Sequence, residues 1–194
     1  ATGGSARIDN SGTISTGDIK LETNGIGGGA LSATGVPTGG NGTGGSAQIN
    51  ALAGQVSTVS LHVAANGTGG SSGNAAGFTG FGQGGQITML LNGGNMSVSG
   101  GTLLEANASV NDRGGGVDRG ARGGSINLDV IGPSVFSTPG LAMYTQALAA
   151  NLGPLASSGG NFTGGSIFVS AQFGGSLTAG SIQGYADARS ANVT

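Results

Sequence analysis

The chain has 194 residues, of which 45 are glycine and only 7% are charged, and its net charge of -2 excludes the basic surface that nucleic-acid binding needs. It contains no cysteine, which excludes disulfide bonds and thiolate metal sites. No run approaches the roughly 18 apolar residues of a membrane-spanning helix, so we expect no membrane span in this segment.

A glycine pair recurs along the chain and marks a repeat. Its copies are Gly3-Gly4, Gly44-Gly45, Gly84-Gly85, Gly123-Gly124 and Gly164-Gly165. The steps between successive second glycines are 41, 40, 39 and 41 residues. A fixed period of this size predicts a repeat architecture. We therefore expect one repeat array over residues 1–194, with units starting near 3, 44, 84, 123 and 164, as a segment of a longer chain.

The first predicted element of each unit is a strand directly after the glycine pair. Apolar residues stand two, four and six positions after the second glycine, and mostly polar residues stand between them. Alternation with period two is typical of a half-buried strand, and it argues against a disordered low-complexity chain. The middle apolar column is the predicted core ladder: Ile8, Ile49, Met89, Leu128 and Val169.

Two more short strands are predicted in each unit. A second apolar position follows a turn, at Ile14, Val56, Met96, Val135 and Leu177. A third strand is clearest at 19–23 and 61–65, where an Asn-Gly pair follows it and favours a turn. The later units keep the third strand less well, at 104–106, 141–145 and 182–186.

The rest of each period is rich in glycine and is predicted to form long loops. These segments are 25–44, 67–84, 109–123 and 146–164. Because the three strands match from unit to unit, each strand is expected to pair with its copy in the next unit. The pattern predicts an all-β, right-handed parallel β-helix of about five coils of roughly 40 residues, with the glycine-rich loops on one side.

The charged residues offer few candidates for chemistry. Five of them share one segment, which is either a calcium-binding or ligand-binding loop or, as its three arginines favour, a solvated loop with ion pairs: Asp112, Arg113, Asp118, Arg119 and Arg122. Asp18, Lys20 and Glu22 lie on one strand face, but no neighbouring coil is expected to supply a second group there. His62 is the only histidine. We therefore predict no catalytic residue, no cofactor and no metal site.

Asn-x-Ser/Thr triplets are candidate acceptors of N-linked sugar. Because asparagine, serine and threonine are abundant in this chain, chance also explains these triplets. Six triplets occur, beginning at Asn41, Asn66, Asn95, Asn107, Asn161 and Asn192. Asn41, Asn66, Asn107 and Asn161 are the candidate sites.

Three phrases in the second unit carry a family resemblance. Residues 44–51 read GGSAQINA, residues 54–57 read GQVS, and residues 60–70 read SLHVAANGTGG. These phrases resemble repeats of large filamentous-haemagglutinin-like and autotransporter adhesins of Gram-negative bacteria. The likeness covers all 194 residues as a pattern and carries no catalytic motif. It implies export to the cell surface or the medium, a long β-helical shaft, and roles in adhesion, biofilm or extracellular fibres.

The expected function is thus an extracellular structural or adhesive shaft that belongs to a surface fibre or matrix. We expect it to associate with itself, end to end or laterally, and to contact a glycan or protein of a host or neighbouring cell. An ice-binding or surface-binding β-solenoid is the alternative, although its rank of outward threonines is not seen in the column Arg7, Gln48, Thr88, Asn127 and Phe168. A carbohydrate-active β-helix enzyme is a weaker alternative.

Overall fold

The computed structural model describes residues 1–30, 35–73, 76–111, 117–150 and 160–189. Within these ranges the chain is all-β without a helix, and its strands run parallel in four sheets. In every sheet, a strand pairs with the corresponding strand of the neighbouring repeat. The predicted all-β architecture of parallel strands is confirmed, and the stacked sheets are consistent with a β-solenoid.

Sheet I holds the strands that follow the glycine pairs: β1 (Ser5–Asn10), β5 (Ser46–Ala51), β9 (Gln86–Asn92), β13 (Ser125–Ile131) and β18 (Ser166–Gln172). The register brings the residues of the predicted core ladder opposite one another, in a single file through all five strands. The three central members, Ile49, Met89 and Leu128, are at most 1% exposed. The outer two, Ile8 and Val169, are partly buried against the same core.

Sheet II contains seven strands: β2 (Thr13–Glu22), β6 (Gly54–Ala64), β10 (Gly94–Glu105), β14 (Val135–Thr138), β15 (Leu141–Tyr144), β19 (Ser176–Ala179) and β20 (Ile182–Tyr185). The second and third predicted strands are continuous in the first three repeats, because β2, β6 and β10 cover both. In the fourth repeat they separate into β14 and β15, and both pair with β10. Pro139 lies in that gap and has no N–H to donate to a strand ladder.

The structure corrects the second apolar column at one position. Phe136, not Val135, lies opposite Met96. Phe136 is fully buried, whereas Val135 is 40% exposed. The turn before it is one residue longer than its counterpart, and Ser134 holds it by donating a hydrogen bond from Oγ to the carbonyl of Ile131 at 2.7 Å. The extra residue reverses which side chain of the dipeptide faces the core.

Sheets III and IV lie in the segments that were predicted to be loops, except for the last strand of sheet III, which comes after those segments. Sheet III comprises β3 (Gly25–Ile26), β7 (Gly67–Gly69), β11 (Ala108–Asn111), β16 (Ala147–Ala150) and β21 (Ala188–Arg189). Sheet IV comprises β4 (Gly42–Thr43), β8 (Gly82–Gln83), β12 (Gly120–Arg122) and β17 (Asn161–Thr163). The loop prediction was therefore wrong for these residues, which form short strands in register with their neighbours.

Glycine makes these two short sheets possible because their backbones touch directly. A Cβ atom on Gly27 would lie 1.8 Å from the carbonyl oxygen of Gly40, and one on Gly69 would lie 2.0 Å from that of Gly80. Backbone hydrogen bonds of 2.8–2.9 Å link Gly28, Gly40, Gly70 and Gly80 in turn across the layer. No room exists for a side chain at these glycines, so this part of the segments lacks the alternation that identifies a strand.

The main apolar core lies between sheets I and II. Its largest fully buried side chains include Phe136, Ile87, Leu91, Leu104 and Leu141. A second and smaller cluster, of Ala108, Val110, Ala121 and Ala147, lies between sheets III and IV, with Phe162 packed against it. The wide part of each repeat is thus filled by aliphatic side chains, and the narrow part by glycine and alanine.

Candidate functional site

An open groove runs along the glycine pairs from the second repeat to the fifth. We call it the glycine groove; its volume is about 650 Å³. The glycine pairs 44–45, 84–85, 123–124 and 164–165 form its floor. One wall is formed by residues at the ends of sheet IV strands, and the other by the first residues of sheet I strands: Thr43, Gln83 and Arg122, and Ser46, Gln86, Ser125 and Ser166.

Only glycine fits the floor of this groove. A Cβ on Gly45 would lie 1.9 Å from the carbonyl oxygen of Gly4, and one on Gly85 would lie 2.0 Å from that of Gly45. The Gly85 N–H also donates a hydrogen bond of 2.6 Å to the carbonyl of Ala65, just past the end of β6. Each pair is thus pressed against the preceding repeat and against the end of sheet II, which explains its recurrence.

The outer face of sheet I carries a network of polar side chains. Asp9 accepts a hydrogen bond of 2.6 Å from Asn50 Nδ2 and forms an ion pair of 2.7 Å with Arg7. The same arrangement recurs at Asp129, which accepts hydrogen bonds from Asn127 Nδ2 at 2.7 Å and Ser170 Oγ at 2.5 Å. The hydrogen bonds from Asn50 and Ser170 link neighbouring repeats across the strands. The hydrogen bond from Asn50, followed by that from Arg7, holds the pKa of Asp9 below its ordinary value of 3.8.

Asp9 is expected to titrate below pH 3.8 in the folded chain, and Asn50→Ala should move its pKa back towards 3.8. Because the pKa of Asp9 is lower in the folded chain than in the unfolded chain, ionised Asp9 stabilises the fold. This contribution to the free energy of unfolding is fully present above the unfolded pKa and is lost as the pH falls through the folded pKa. Carboxyl-carbon NMR titration measures the Asp9 pKa in the parent chain and in the Asn50→Ala variant. Gln183→Ala, on the outer face of sheet II, is the control and should leave the Asp9 pKa unchanged. An Asn50→Ala variant with an unshifted Asp9 would contradict the assigned cause.

The outer face of sheet II brings together charged groups that the sequence had left apart. His62 lies opposite Lys20, and its Nε2 is 2.9 Å from Glu105 Oε2 in the next repeat. Ser60 Oγ donates a hydrogen bond of 2.5 Å to Asp18. The expectation that no neighbouring repeat supplies a second group here was therefore wrong. The parallel register placed these side chains side by side, and no local sequence signal indicates such pairs.

A rank of hydroxyl groups follows the same face of sheet II. It consists of Ser15, Ser57, Ser97, Ser137 and Thr178, which lie opposite one another in register. All are exposed except Ser137, which is half-buried. The sequence carried a signal for this rank, since a hydroxyl follows the second apolar residue in every repeat. In the fourth repeat this signal was missed, because Val135 and not Phe136 was assigned to the second apolar position.

A ladder of amide side chains holds successive repeats at the end of sheet II. The Oδ1 atoms of Asn24, Asn66 and Asn107 accept hydrogen bonds of 2.8–2.9 Å from the backbone N–H groups of Asn66, Asn107 and Gln146, respectively. Two of the four candidate sugar acceptors, Asn66 and Asn107, therefore belong to this ladder. Asn41 is exposed and its Oδ1 accepts from the N–H of Phe81 at 2.9 Å. Asn161 is exposed in β17. Attachment of sugar stays a prediction at all four.

Three of the five charged residues predicted to share a loop are described by the structure, and they occupy different environments. Asp112 and Arg113 lie outside the described residues. Asp118 is buried, at 2% exposure, and does not belong to a solvated loop. The guanidinium of Arg119 lies 5.5 Å from the ring centre of Phe78, and Arg122 lies in the glycine groove.

Over the described ranges, no three or more His, Cys, Asp or Glu side chains are grouped closely enough to hold a metal ion. The same part of the chain has no helix of the length and apolarity needed to cross a membrane. No protein-family model matches this sequence, and comparisons with curated proteins and with solved structures give no significant match.

Proposed function

We propose that this chain is part of an extracellular structural and adhesive shaft, a right-handed parallel β-helix of about five coils within a surface fibre or matrix. The observation that carries the proposal is the continuous parallel pairing of every sheet from repeat to repeat. Such an array extends along one axis by adding repeats, because each repeat contacts only its neighbours. The resemblance to filamentous-haemagglutinin-like and autotransporter adhesins supports a secreted or cell-surface location in a Gram-negative bacterium, and a role without catalysis or cofactor.

The outermost strands of the described array can accept further strands. Within the described residues, β1 to β4 form one open edge of the four sheets, and β17 to β21 form the other. Ile182, in the last repeat, is 55% exposed, although Leu141 opposite it is fully buried. Unpaired strand edges with exposed apolar side chains pair readily with further strands. These strands can come from more repeats of the same polypeptide or from a second copy of the chain.

The purified 194-residue chain is expected to form linear, unbranched assemblies at high concentration. Light scattering after size exclusion and negative-stain electron microscopy measure this association. Ile182→Lys places a charge at one open edge and should shorten or abolish the assemblies, since charged side chains block edge pairing. Ser97→Lys introduces the same charge on an outer face and serves as the control. Discrete monomers at all concentrations would contradict end-to-end association.

A second candidate function, a surface-binding or ice-binding solenoid, is favoured by the hydroxyl rank of sheet II. Its members repeat along the sheet at the spacing of parallel strands, about 4.8 Å. Threonine occupies only one of the five positions, so the rank lacks the methyl groups of a threonine array. Thermal hysteresis that disappears in Ser97→Lys would move the assignment to this function. Its absence in the intact chain would exclude ice binding.

A further inference from the structure

We propose that the glycine groove binds an extended acidic polysaccharide, with Arg122 pairing with a sugar carboxylate while Gln83 and Gln86 bind sugar hydroxyls. The proposed extracellular role explains only where the chain would meet such a polymer. Binding itself follows from the chemistry and shape of the groove.

The lining of the groove selects against most other ligand classes. It presents hydroxyl groups, amides and one guanidinium, with no carboxylate and no apolar side chain. A lipid or an apolar helix would find no hydrophobic contact there. A divalent cation would find no carboxylate. Hydroxyl and amide groups that both donate and accept suit a polyhydroxylated ligand.

The backbone of the floor is already occupied by hydrogen bonds. The N–H of Gly44 donates a hydrogen bond to the backbone carbonyl of Gln83 at 2.8 Å, and the N–H of Gly84 donates one to the backbone carbonyl of Arg122 at 2.9 Å. The N–H groups of Gly85 and Gly124 donate to Ala65 and Ala106 at 2.6 and 2.7 Å. A peptide therefore cannot add to this surface as a strand, and the floor cannot cradle a phosphate. Recognition has to use the side chains of the two walls.

Arg122 gives the groove its preference for acid. It is exposed, and it forms no ion pair with any residue in the part of the chain that the structure describes. A guanidinium binds a carboxylate through two parallel hydrogen bonds. A single cation is too few for nucleic acid, whose affinity depends on several phosphate contacts. A polysaccharide with carboxylate groups on otherwise neutral, hydroxylated sugars matches a groove that has one guanidinium among hydroxyl and amide groups.

The shape of the groove fits a linear polymer. It crosses four repeats, which at the spacing of parallel strands is roughly 14 Å between the outermost ones. Hydrogen-bonding side chains recur on both walls, at Gln83 and Gln86 on either side of the third glycine pair and at Arg122 and Ser125 on either side of the fourth.

Affinity electrophoresis and calorimetry with sodium polygalacturonate, compared with neutral dextran, test the proposal. The wild type should bind polygalacturonate at least about tenfold more tightly than dextran, and added salt should reduce the difference. Arg122→Gln should lower polygalacturonate affinity by about tenfold or more and leave dextran unchanged. The double variant Gln83→Ala/Gln86→Ala should weaken both polymers.

Lys20→Gln is the matched control, because it removes one exposed cation on another face. Its polygalacturonate affinity should equal that of the wild type, and thermal melts should show all variants folded. No binding of polygalacturonate by the wild type would overturn the proposal, as would an equal loss in Lys20→Gln. An Arg122→Gln effect without any effect of the glutamine changes would also overturn it, by placing the polymer outside the groove. Light scattering and electron microscopy test filament formation independently of polysaccharide binding, so failure of one proposal does not imply failure of the other.

Discussion

Gly85→Ala is expected to destabilise the chain by about 3 kcal/mol, a large part of the stability of an ordinary domain. The new Cβ would lie 2.0 Å from the carbonyl oxygen of Gly45. Relief of that overlap requires a backbone shift, but Gly85 donates to Ala65 at 2.6 Å and its carbonyl accepts from Ser125 at 3.0 Å. These two hydrogen bonds therefore oppose the backbone shift that would relieve the overlap. Urea unfolding followed by circular dichroism measures the loss.

Gly4→Ala is the control for this prediction. Gly4 occupies the same place in the first glycine pair, yet a Cβ there would meet nothing within 4 Å. The difference arises because no described residue lies on that side of Gly4. The Gly4 variant should stay within about 0.5 kcal/mol of the parent chain. Equal stability of the two variants would show that close backbone approach between repeats does not explain the glycine pairs.

Phe136→Ala is expected to cost about 3–5 kcal/mol, the range for removal of a buried aromatic side chain. Phe136 is fully buried and belongs to the core between sheets I and II. The alanine would leave a cavity that the paired strands on either side cannot close. Thermal and urea unfolding should both show the loss.

Val135→Ala is the companion variant, because it tests the register of the fourth repeat. Val135 is 40% exposed, so its truncation should change stability by no more than about 0.5 kcal/mol. A larger loss for Val135→Ala than for Phe136→Ala would reinstate the register predicted from the sequence. Such a result would also break the hydroxyl rank at Ser137.

Sheet I was the part of the fold most open to prediction. Its strands alternate between aliphatic and polar residues directly after the glycine pair, so both the element and its inward face are visible in the sequence. Ile49, Met89 and Leu128 illustrate this, because they occupy equivalent positions in successive repeats and are buried in one file. Parallel pairing was expected because the strand recurs at a nearly fixed period, so that each copy can pair with the equivalent strand of the next repeat.

The candidate site was much less predictable. Arg122 stood in the sequence as one of five charges in a presumed loop, and nothing local places it beside Gln83 and Gln86. The pair formed by His62 and Glu105 joins residues 43 positions apart and depends on the register of sheet II. Side chains of this kind have no periodic pattern of their own. Their neighbours are decided by which strands lie side by side.

The amino-acid sequence by itself determined the repeat, the parallel strands of sheet I and the aliphatic filling between sheets I and II, because alternation and period are local properties. Only the tertiary structure decided that the glycine-rich segments form sheets III and IV, that Phe136 replaces Val135 in the core, and that a polar groove follows the glycine pairs. The physical reason is that these features depend on close approach between backbones of different repeats. Glycine permits that approach without leaving a hydrophobic pattern, so the contact becomes visible only when the repeats are stacked.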